Sequence, residues 1–277
     1  MTDEADVTRL ASAWRSKLEL QESQASRVRE YQPPYDHWAP LAEMFSPGPV
    51  TPDIETVLAA VEPEETWLDI GCGAGRFTAH LAERAGRVVA VDGSAAMTER
   101  LREAARERGL ENVNVLPASP WPLETVGEPV DVAFSSHVLY FVPAIMPFLL
   151  GMEAHARRRC FVLLGDEAGS LPPEEAWRAA HDEPMSRLPA LDDFEALTRA
   201  RGIDLQVKDV PIAEPAEEPD PEQVFTMLRS KCLLREDSPK AVRLRRWFDE
   251  QREATGKTPS LMAMRRMALC SWEPPSE

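Results

Sequence analysis

The sequence predicts an α/β fold in which helices cover both faces of a doubly wound, mostly parallel sheet. The first observation is that strand-like and helix-like apolar patterns alternate along residues 65–164, as in β-α-β units. The second is a run of apolar residues that ends at 69–70 and turns through three glycines into a helical pattern. In such a sheet ligands bind at the carboxyl ends of the strands, so candidate site residues are sought there.

The first part of the chain is predicted to precede the sheet. Residues 4–30 have helical periodicity, with Trp14 on the apolar face. An aromatic segment among prolines follows at 31–40, and a linker rich in proline spans 46–52. We therefore expect residues 1–52 to form an N-terminal helix and cap segment.

Residues 53–210 are predicted as the core of the fold. Asp53 and Ser94 are expected to cap helices, since their side chains can accept hydrogen bonds from the first helical turn. Gly109 is expected to end a helix. The predicted strands are 65–70, 87–92, 112–116, 130–135, 159–164 and 204–210. The predicted helices are 53–61, 75–85, 95–108, 143–156 and 191–201.

The spacing of the three glycines indicates the kind of ligand. They stand at positions 71, 73 and 75, and Arg76 occupies the place where a Gly-x-Gly-x-x-Gly loop needs its third glycine. Dinucleotide loops need that spacing so that backbone amides can approach a pyrophosphate. The turn in this chain instead suits a ligand without phosphate.

The segment from Asp69 to Gly75, Asp-Ile-Gly-Cys-Gly-Ala-Gly, with Asp92 closing the next strand, resembles the class I S-adenosylmethionine (AdoMet) methyltransferases. The resemblance implies a seven-stranded sheet whose last strand is reversed. It makes residues 261–277 that last strand and residues 211–260, with helical patterns at 221–234 and 239–254, a lid insertion. A separate C-terminal helical hairpin is the alternative.

The resemblance also implies which residues hold AdoMet and its product, S-adenosyl-L-homocysteine. Gly71, Gly73 and Gly75 would pass under the methionine part, Asp69 would organise its ammonium group, and Asp92 would bind both ribose hydroxyls. Further cofactor contacts are expected from Cys72, Gly93, Met97, Ser119, Trp121 and Ser136. Many relatives have an aspartate for the adenine amino group where this chain has Ala118 and Ser119. Trp121 could wall the adenine ring by stacking, or could simply pin its loop.

Candidate catalytic residues follow the fourth predicted strand. Methyl transfer chiefly requires alignment of donor and acceptor, and it needs a base only where the acceptor must lose a proton. His137 and Tyr140 could reach an acceptor, with His137 as the base; the alternative is a histidine hydrogen-bonded at a strand end. An Asn/Asp-Pro-Pro-Tyr tetrad is absent here, which argues against methylation of adenine N6 or of glutamine amides.

Candidate substrate residues come from two other segments. Asp166 follows the fifth strand and could orient a polar acceptor or lie in a solvated loop. Tyr31, Tyr35 and Trp38 could fold over the cofactor or pack the first helix onto the sheet. The histidines show no metal-ligand spacing, so no metal site is expected.

Composition narrows the partners. The formal charge of −16 argues against nucleic acid, because phosphate backbones are bound by clustered Lys and Arg. No apolar run reaches the about 20 residues of a membrane span. Four unpaired cysteines and an acidic N-terminus lead us to expect a reduced, cytoplasmic protein with a small-molecule acceptor, and a homodimer is compatible with the sequence. The rivals are a nicotinamide oxidoreductase, a catalytically silent AdoMet-binding module and a protein or nucleic-acid methyltransferase.

Overall fold

A computed structural model describes residues 4–31, 42–43, 45–124, 126–212 and 218–275. Its centre is one seven-stranded sheet with the order β3-β2-β1-β4-β5-β7-β6. The strand β7 is antiparallel to both of its neighbours, and β1 to β5 pair in parallel. This confirms the predicted α/β class and the reversed last strand. The strands are β1 Thr66–Ile70, β2 Arg87–Val91, β3 Val113–Val115, β4 Val130–Ser136, β5 Ala156–Gly165, β6 Gln206–Val210 and β7 Met267–Trp272.

Helices pack on both faces of the sheet. Their bounds are α1 Glu4–Val28, α2 Pro52–Leu58, α3 Thr78–Ala82, α4 Ala95–Glu107, α5 Ile145–His155, α6 Glu174–His181, α7 Leu191–Ala200, α8 Pro221–Lys231 and α9 Pro239–Thr255. Side chains of α2 and α3 share one buried cluster with the sheet residues Trp67, Phe134 and Phe161. Side chains of α1, α5 and α7 share a second cluster with the sheet, represented by Trp14, Phe148 and Phe194. The sheet therefore lies between two apolar layers, which holds the ends of its strands in fixed positions.

The helix ends agree with the prediction at one cap and differ at another. Ser94 caps α4, because its Oγ accepts a hydrogen bond from Met97 N. At α2 the cap position is Thr51 rather than Asp53, since Pro52 already occupies the first helical turn. The Asp53 carboxylate forms an ion pair with Arg76 instead.

Two predicted elements are shorter than the sequence pattern suggests. The helix predicted over 75–85 covers only Thr78–Ala82, because Gly75 has a φ of +99°, which no helical residue adopts. The strand predicted from 261 begins only at Met267. Met267 pairs with the last residue of β5, Gly165, so residues 261–266 run beyond the end of the neighbouring strand.

The C-terminal helices form a layer of their own. Both lie in the chain between β6 and β7, and α9 packs against α6. Their apolar side chains form a third cluster with α6, made of Ala176, Ala180, Val224, Leu228, Leu244, Phe248 and their neighbours. Among the described residues, no helix is long and apolar enough to cross a membrane.

Candidate functional site

The glycine turn connects the end of β1 to the end of β2. The backbone N–H groups of Gly71 and Cys72 both donate to Val91 O, at 2.8 and 3.1 Å. Gly71, Gly73 and Gly75 have φ values of +74°, +53° and +99°. These left-handed conformations are available to glycine at little cost, which explains why the turn uses three of them.

The three glycines differ in what surrounds them. A Cβ added at Gly71 would lie 2.3 Å from Val138 Cγ2, and one at Gly75 would lie 2.4 Å from Leu101 Cδ1. At Gly73 the nearest atom would be Phe45 Cβ at 3.7 Å, an ordinary van der Waals distance. Close packing therefore requires Gly71 and Gly75, whereas at Gly73 the left-handed backbone is what favours glycine.

Asp92, directly after β2, is oriented by two backbone amides. Its Oδ2 accepts from Gly73 N at 3.0 Å, and its Oδ1 accepts from Ser94 N at 2.8 Å. The Ser119 N–H donates to the Asp92 carbonyl at 3.0 Å, so the loop after β3 meets the loop after β2. Gly93 lies in open space beside them, with no atom within 4 Å of an added Cβ. This is the edge at which the sequence predicts the ribose and adenine to bind.

Asp69 is the buried acid of the site. Its Oδ2 accepts a hydrogen bond from Thr78 Oγ1 at 2.6 Å. Burial raises the pKa of Asp69 to about 7; the Thr78 hydrogen bond opposes this rise and the negative charge of Asp92 adds to it. Among the described residues no cation pairs with Asp69, and a ligand ammonium group would supply the missing charge.

The donor set fits AdoMet. Ser136 Oγ is buried at the end of β4 and has no hydrogen-bond partner among the described residues, which points to a ligand atom. Two acids, Asp69 and Asp92, lie at the glycine turn, and Asp92 accepts a hydrogen bond from Gly73 N. This arrangement attracts a ligand that carries an ammonium and a sulfonium, and it repels a pyrophosphate.

His137 and Tyr140 lie together where β4 and β5 end. His137 adopts a φ of +57°, and its N–H donates to Leu163 O at 2.9 Å. Its Nδ1 lies 3.3 Å from the Tyr140 hydroxyl, and the two rings stack at a centroid distance of 6.1 Å. The hydroxyl also accepts from Gly165 N at 2.6 Å. The two candidate catalytic side chains are therefore one hydrogen-bonded unit attached to the end of β5.

Both groups are uncharged at neutral pH. Burial lowers the pKa of His137 to about 4; the Asp53 carboxylate opposes this shift and the Arg76 guanidinium adds to it. Burial also raises the pKa of Tyr140 above its usual value, the Gly165 N–H opposes that rise, and the Asp166 and Glu167 carboxylates add to it. The site thus presents a neutral imidazole and a neutral phenol.

Arg76 and Asp53 are site residues that the sequence analysis did not assign to the site. Arg76 Nη1 lies 2.8 Å from Asp53 Oδ2, and Nη2 donates to Thr51 Oγ1 at 2.9 Å. Both charges act on His137, as its pKa shows. The position of Arg76 directly after the glycine turn is the one sequence signal that could have indicated this, because that turn leads into the site.

The cap segment reaches the glycine turn in its second half. Pro47 Cγ would lie 3.7 Å from a Cβ at Gly75, and Phe45 lies beside Gly73. The Gly48 carbonyl is 3.0 Å from His80 Nε2 on α3. Residues 45–48 therefore pack on the turn, as a cap segment is expected to do.

The remaining predicted site residues are more dispersed. Asp166 Oδ1 accepts from Arg265 N at 2.9 Å, so this carboxylate ties β5 to the segment before β7. Trp121 Nε1 donates to Phe148 O at 3.1 Å, which pins its loop to α5. Tyr31 is 40% exposed at the end of α1. Cys72 and Met97 are buried beside the glycine turn. Tyr35 and Trp38 lie outside the described residues.

A comparison with family models identifies the central part of the chain. Residues 68–157, from β1 into β5, match the model described as "Methyltransferase domain". They include the glycine turn, Asp92 and the His137–Tyr140 unit. This stretch of the chain is therefore similar to a methyltransferase domain, as the resemblance of the glycine turn and Asp92 implied.

Solved structures share the fold of the methyltransferase domain. YcgJ from Bacillus subtilis is 14% identical, with 80% of this chain and 98% of that chain covered and a TM-score of 0.54. A putative methyltransferase from Bacillus halodurans is 12% identical over the same shares, with a TM-score of 0.55. The [4+2]-cyclase SpnF is 15% identical over 80% of this chain and 81% of its own, with a TM-score of 0.51. At these identities the likeness is one of fold.

Curated relatives match only a short part of the chain. The 23S rRNA (uracil(1939)-C(5))-methyltransferase RlmD of Alkalilimnicola ehrlichii is 54% identical over 56 residues. That stretch is 20% of this chain and 13% of the relative. RlmD of Alcanivorax borkumensis is 50% identical over 56 residues, with the same shares. The matched stretch is thus a small fraction of each relative.

Proposed function

We propose that this protein transfers the methyl group of AdoMet to a small-molecule acceptor. The observation that carries the proposal is the arrangement of Asp69, Gly73 and Asp92: a buried acid precedes the glycine turn, and a second acid accepts a hydrogen bond from Gly73 N. Asp69 is buried without a cation among the described residues, so a ligand ammonium would relieve its burial.

The cofactor-binding side follows from these contacts. Asp69 would hold the ammonium and Gly73 would lie under the methionine part. Asp92 would bind the ribose hydroxyls, since two backbone N–H groups hold its carboxylate in a fixed orientation. Ser136 Oγ would donate to the bound cofactor. AdoMet, when bound, supplies an electrophilic methyl on a sulfonium, and the protein has to align the acceptor with it.

His137 is proposed to orient the acceptor. If Nδ1–H donates to the Tyr140 oxygen, Nε2 is left as an acceptor of a hydrogen bond; the Tyr140 oxygen can then accept from both His137 and Gly165. A base whose pKa is about 4 removes protons poorly at neutral pH. The acceptor is therefore a group that reacts as a neutral nucleophile or that has an acidic proton.

An RNA acceptor is the second candidate, because the RlmD proteins are named for an rRNA substrate and share up to 54% identity over 56 residues. The formal charge of −16 disfavours it, since RNA binding draws on clustered positive charge. The clusters Arg157–Arg159 and Arg243–Arg246 contain arginines that already pair with acids, as Arg158 does with Glu62 and Glu65 and Arg245 does with Glu222.

The test has two stages. Calorimetry with AdoMet, S-adenosylhomocysteine and NAD should show micromolar-range binding of the first two and none of NAD. Methyl-labelled AdoMet is then incubated with the protein and with separate small-molecule and RNA fractions of a cell extract. Label in the small-molecule fraction supports the proposal, and label in RNA favours the second candidate. Cofactor binding without any transfer indicates a catalytically silent module. SpnF shares this fold and is named a [4+2]-cyclase, so the fold alone does not imply methyl transfer.

A further inference from the structure

Residues 261–266, which we call the roof segment, continue past the end of the sheet beside the His137–Tyr140 unit. The β5–β7 pairing ends where Gly165 meets Met267. Beyond that point Asp166 N donates to Arg266 O, and Arg265 N donates to Asp166 Oδ1, both at 2.9 Å. The roof segment is therefore held at the carboxyl end of β5, where acceptors bind in folds of this type.

Lys231, at the end of α8, holds the other end of the roof segment. Its Nζ donates to Leu261 O at 2.7 Å and to Gly169 O at 2.6 Å. Gly169 belongs to the loop that follows β5. The Lys231 ammonium group thus joins α8, the loop after β5 and the roof segment.

Met264 is the roof residue nearest the candidate catalytic side chains. A Cβ added at Gly165 would lie 2.5 Å from Met264 Cε and 2.6 Å from its Sδ. The thioether therefore packs on the bare α-carbon of Gly165, whose N–H donates to the Tyr140 hydroxyl. Met262 Sδ lies 3.9 Å from the corresponding position at Gly169. Two methionines of the roof segment thus lie against Gly165 at the end of β5 and Gly169 in the loop that follows it.

We propose that Met264 forms an apolar wall of the acceptor compartment and sets the size of the acceptor that the site admits. Methionine is unbranched and polarizable, so it suits a wall that contacts an apolar surface of variable shape. The acceptor class that follows is a small molecule with an apolar body and a reacting group beside His137 and Tyr140. This inference rests on the proposed function and names its substrate class.

Gly165 and Met264 allow a reciprocal test. Gly165 lies outside the left-handed region, so its backbone accepts alanine, and the added methyl would displace the Met264 side chain. We expect the displaced side chain to move into the compartment. Gly165→Ala should therefore narrow the site and Met264→Ala should widen it, whereas the double variant should return towards wild type. Met227→Ala is the matched control, since Met227 lies 38% exposed on α8.

The probes are phenol and its 4-ethyl, 4-butyl and 4-hexyl derivatives, titrated calorimetrically in saturating S-adenosylhomocysteine. We expect Met264→Ala to favour the longer chains by about tenfold relative to phenol, and Gly165→Ala to disfavour them by a similar factor. The proposed role of Met264 would be contradicted if wild type, Met264→Ala and Gly165→Ala all showed the same chain-length preference. It would also be contradicted if no phenol bound to any variant although S-adenosylhomocysteine bound to all of them. If wild type does not bind S-adenosylhomocysteine, the proposed function fails, and the wall fails with it.

Discussion

Asp92 Oδ2 accepts a hydrogen bond from the backbone N–H of Gly73 at 3.0 Å. The acid after β2 is therefore oriented by the backbone of the glycine turn. This contact joins the loops after two adjacent strands, which is where a doubly wound sheet binds its ligand. The same carboxylate also accepts from Ser94 N at the start of α4, so its orientation does not depend on a bound cofactor.

Asp92→Asn should weaken AdoMet binding strongly. The amide group has one acceptor oxygen and one donor nitrogen, so it would present a donor to either the Gly73 or the Ser94 N–H. We expect the dissociation constant to rise at least about tenfold, as loss of a charged hydrogen-bond partner costs about 1.5–3 kcal/mol. Calorimetry measures it, and Glu99→Gln on the exposed face of α4 is the control. Unchanged affinity in Asp92→Asn would show that the ribose binds elsewhere.

Asp69→Asn should stabilise the protein in the absence of cofactor and remove cofactor binding. The pKa of Asp69 is raised from 3.8 to about 7 in the folded state, so the unfolded chain ionises first. Stability is therefore lost as pH rises from about 4 to 7, by up to about 4 kcal/mol at about 1.4 kcal/mol per pKa unit. Asp69→Asn should not lose stability in this pH range, because asparagine does not ionise. Its side-chain oxygen can still accept the hydrogen bond from Thr78 Oγ1.

Urea unfolding at pH 5 and pH 8 tests this prediction. Wild type should lose stability between the two pH values to a greater extent than Asp69→Asn does. Parallel pH dependence of the two proteins would contradict the raised pKa. Thr78→Val is a useful second variant, because it removes the hydrogen bond and leaves the carboxylate buried.

His137→Asn should lower turnover and leave AdoMet affinity unchanged. Asparagine tolerates the φ of +57° at this position, so the backbone turn is retained while the imidazole is lost. We expect a fall of about a hundredfold in kcat, because His137 is proposed to orient the acceptor and a misplacement of about 1 Å can cost that much. Wild-type kcat in this variant, measured with the acceptor that the labelling experiment identifies, would exclude a catalytic role.

The same histidine should make the fold sensitive to acid. The pKa of His137 falls from 6.5 to about 4 on folding. Between these pH values His137 is protonated in the unfolded chain and neutral in the folded chain. Stability is then lost as pH falls from 6.5 to 4, by about 3 kcal/mol. His137→Asn should reduce this slope in denaturant titrations, and an unchanged slope would show that another group causes it.

Glu153→Ala should destabilise the fold by about 3–5 kcal/mol, the cost of leaving a buried partner unpaired. Glu153 pairs with Arg201 at 2.7 Å and accepts from Trp272 Nε1 at 2.9 Å, with both ionic side chains less than 10% exposed. Arg9→Ala removes an exposed pair on α1 and should change the unfolding free energy by less than about 1 kcal/mol. Equal effects of the two variants would contradict the importance of burial.

Local patterns predicted most of the fold. The cap at Ser94, the helix end before Gly109 and the parallel strands all follow from short stretches of chain, and the structure confirms them. Predictions were weaker where a neighbour from elsewhere in the chain decides the outcome. The local pattern allows Asp53 to cap a helix, but its carboxylate forms an ion pair with Arg76, which is 23 residues away. The strand pattern at 261–266 lacks a partner because β5 ends at Gly165.

The candidate site divides in the same way. The glycine turn and its two acids are contiguous motifs with their own backbone requirements, so the residues themselves identified the cofactor end. The proposed acceptor end would be assembled from β4, β5, α8 and the roof segment. In it Gly165 contacts Met264, almost a hundred residues later.

Hydrophobic period, turn chemistry and charge are properties of neighbouring residues, and for this chain they determined the fold class, the cofactor and the strongly acidic character. Other features depend on burial and on distances through space. They are the pairing of Arg76 with Asp53, the lowered pKa of His137 and the packing of Met264 on Gly165. Only the tertiary structure decided them, because desolvation and packing act between atoms that the folded chain brings together, whatever their separation along it.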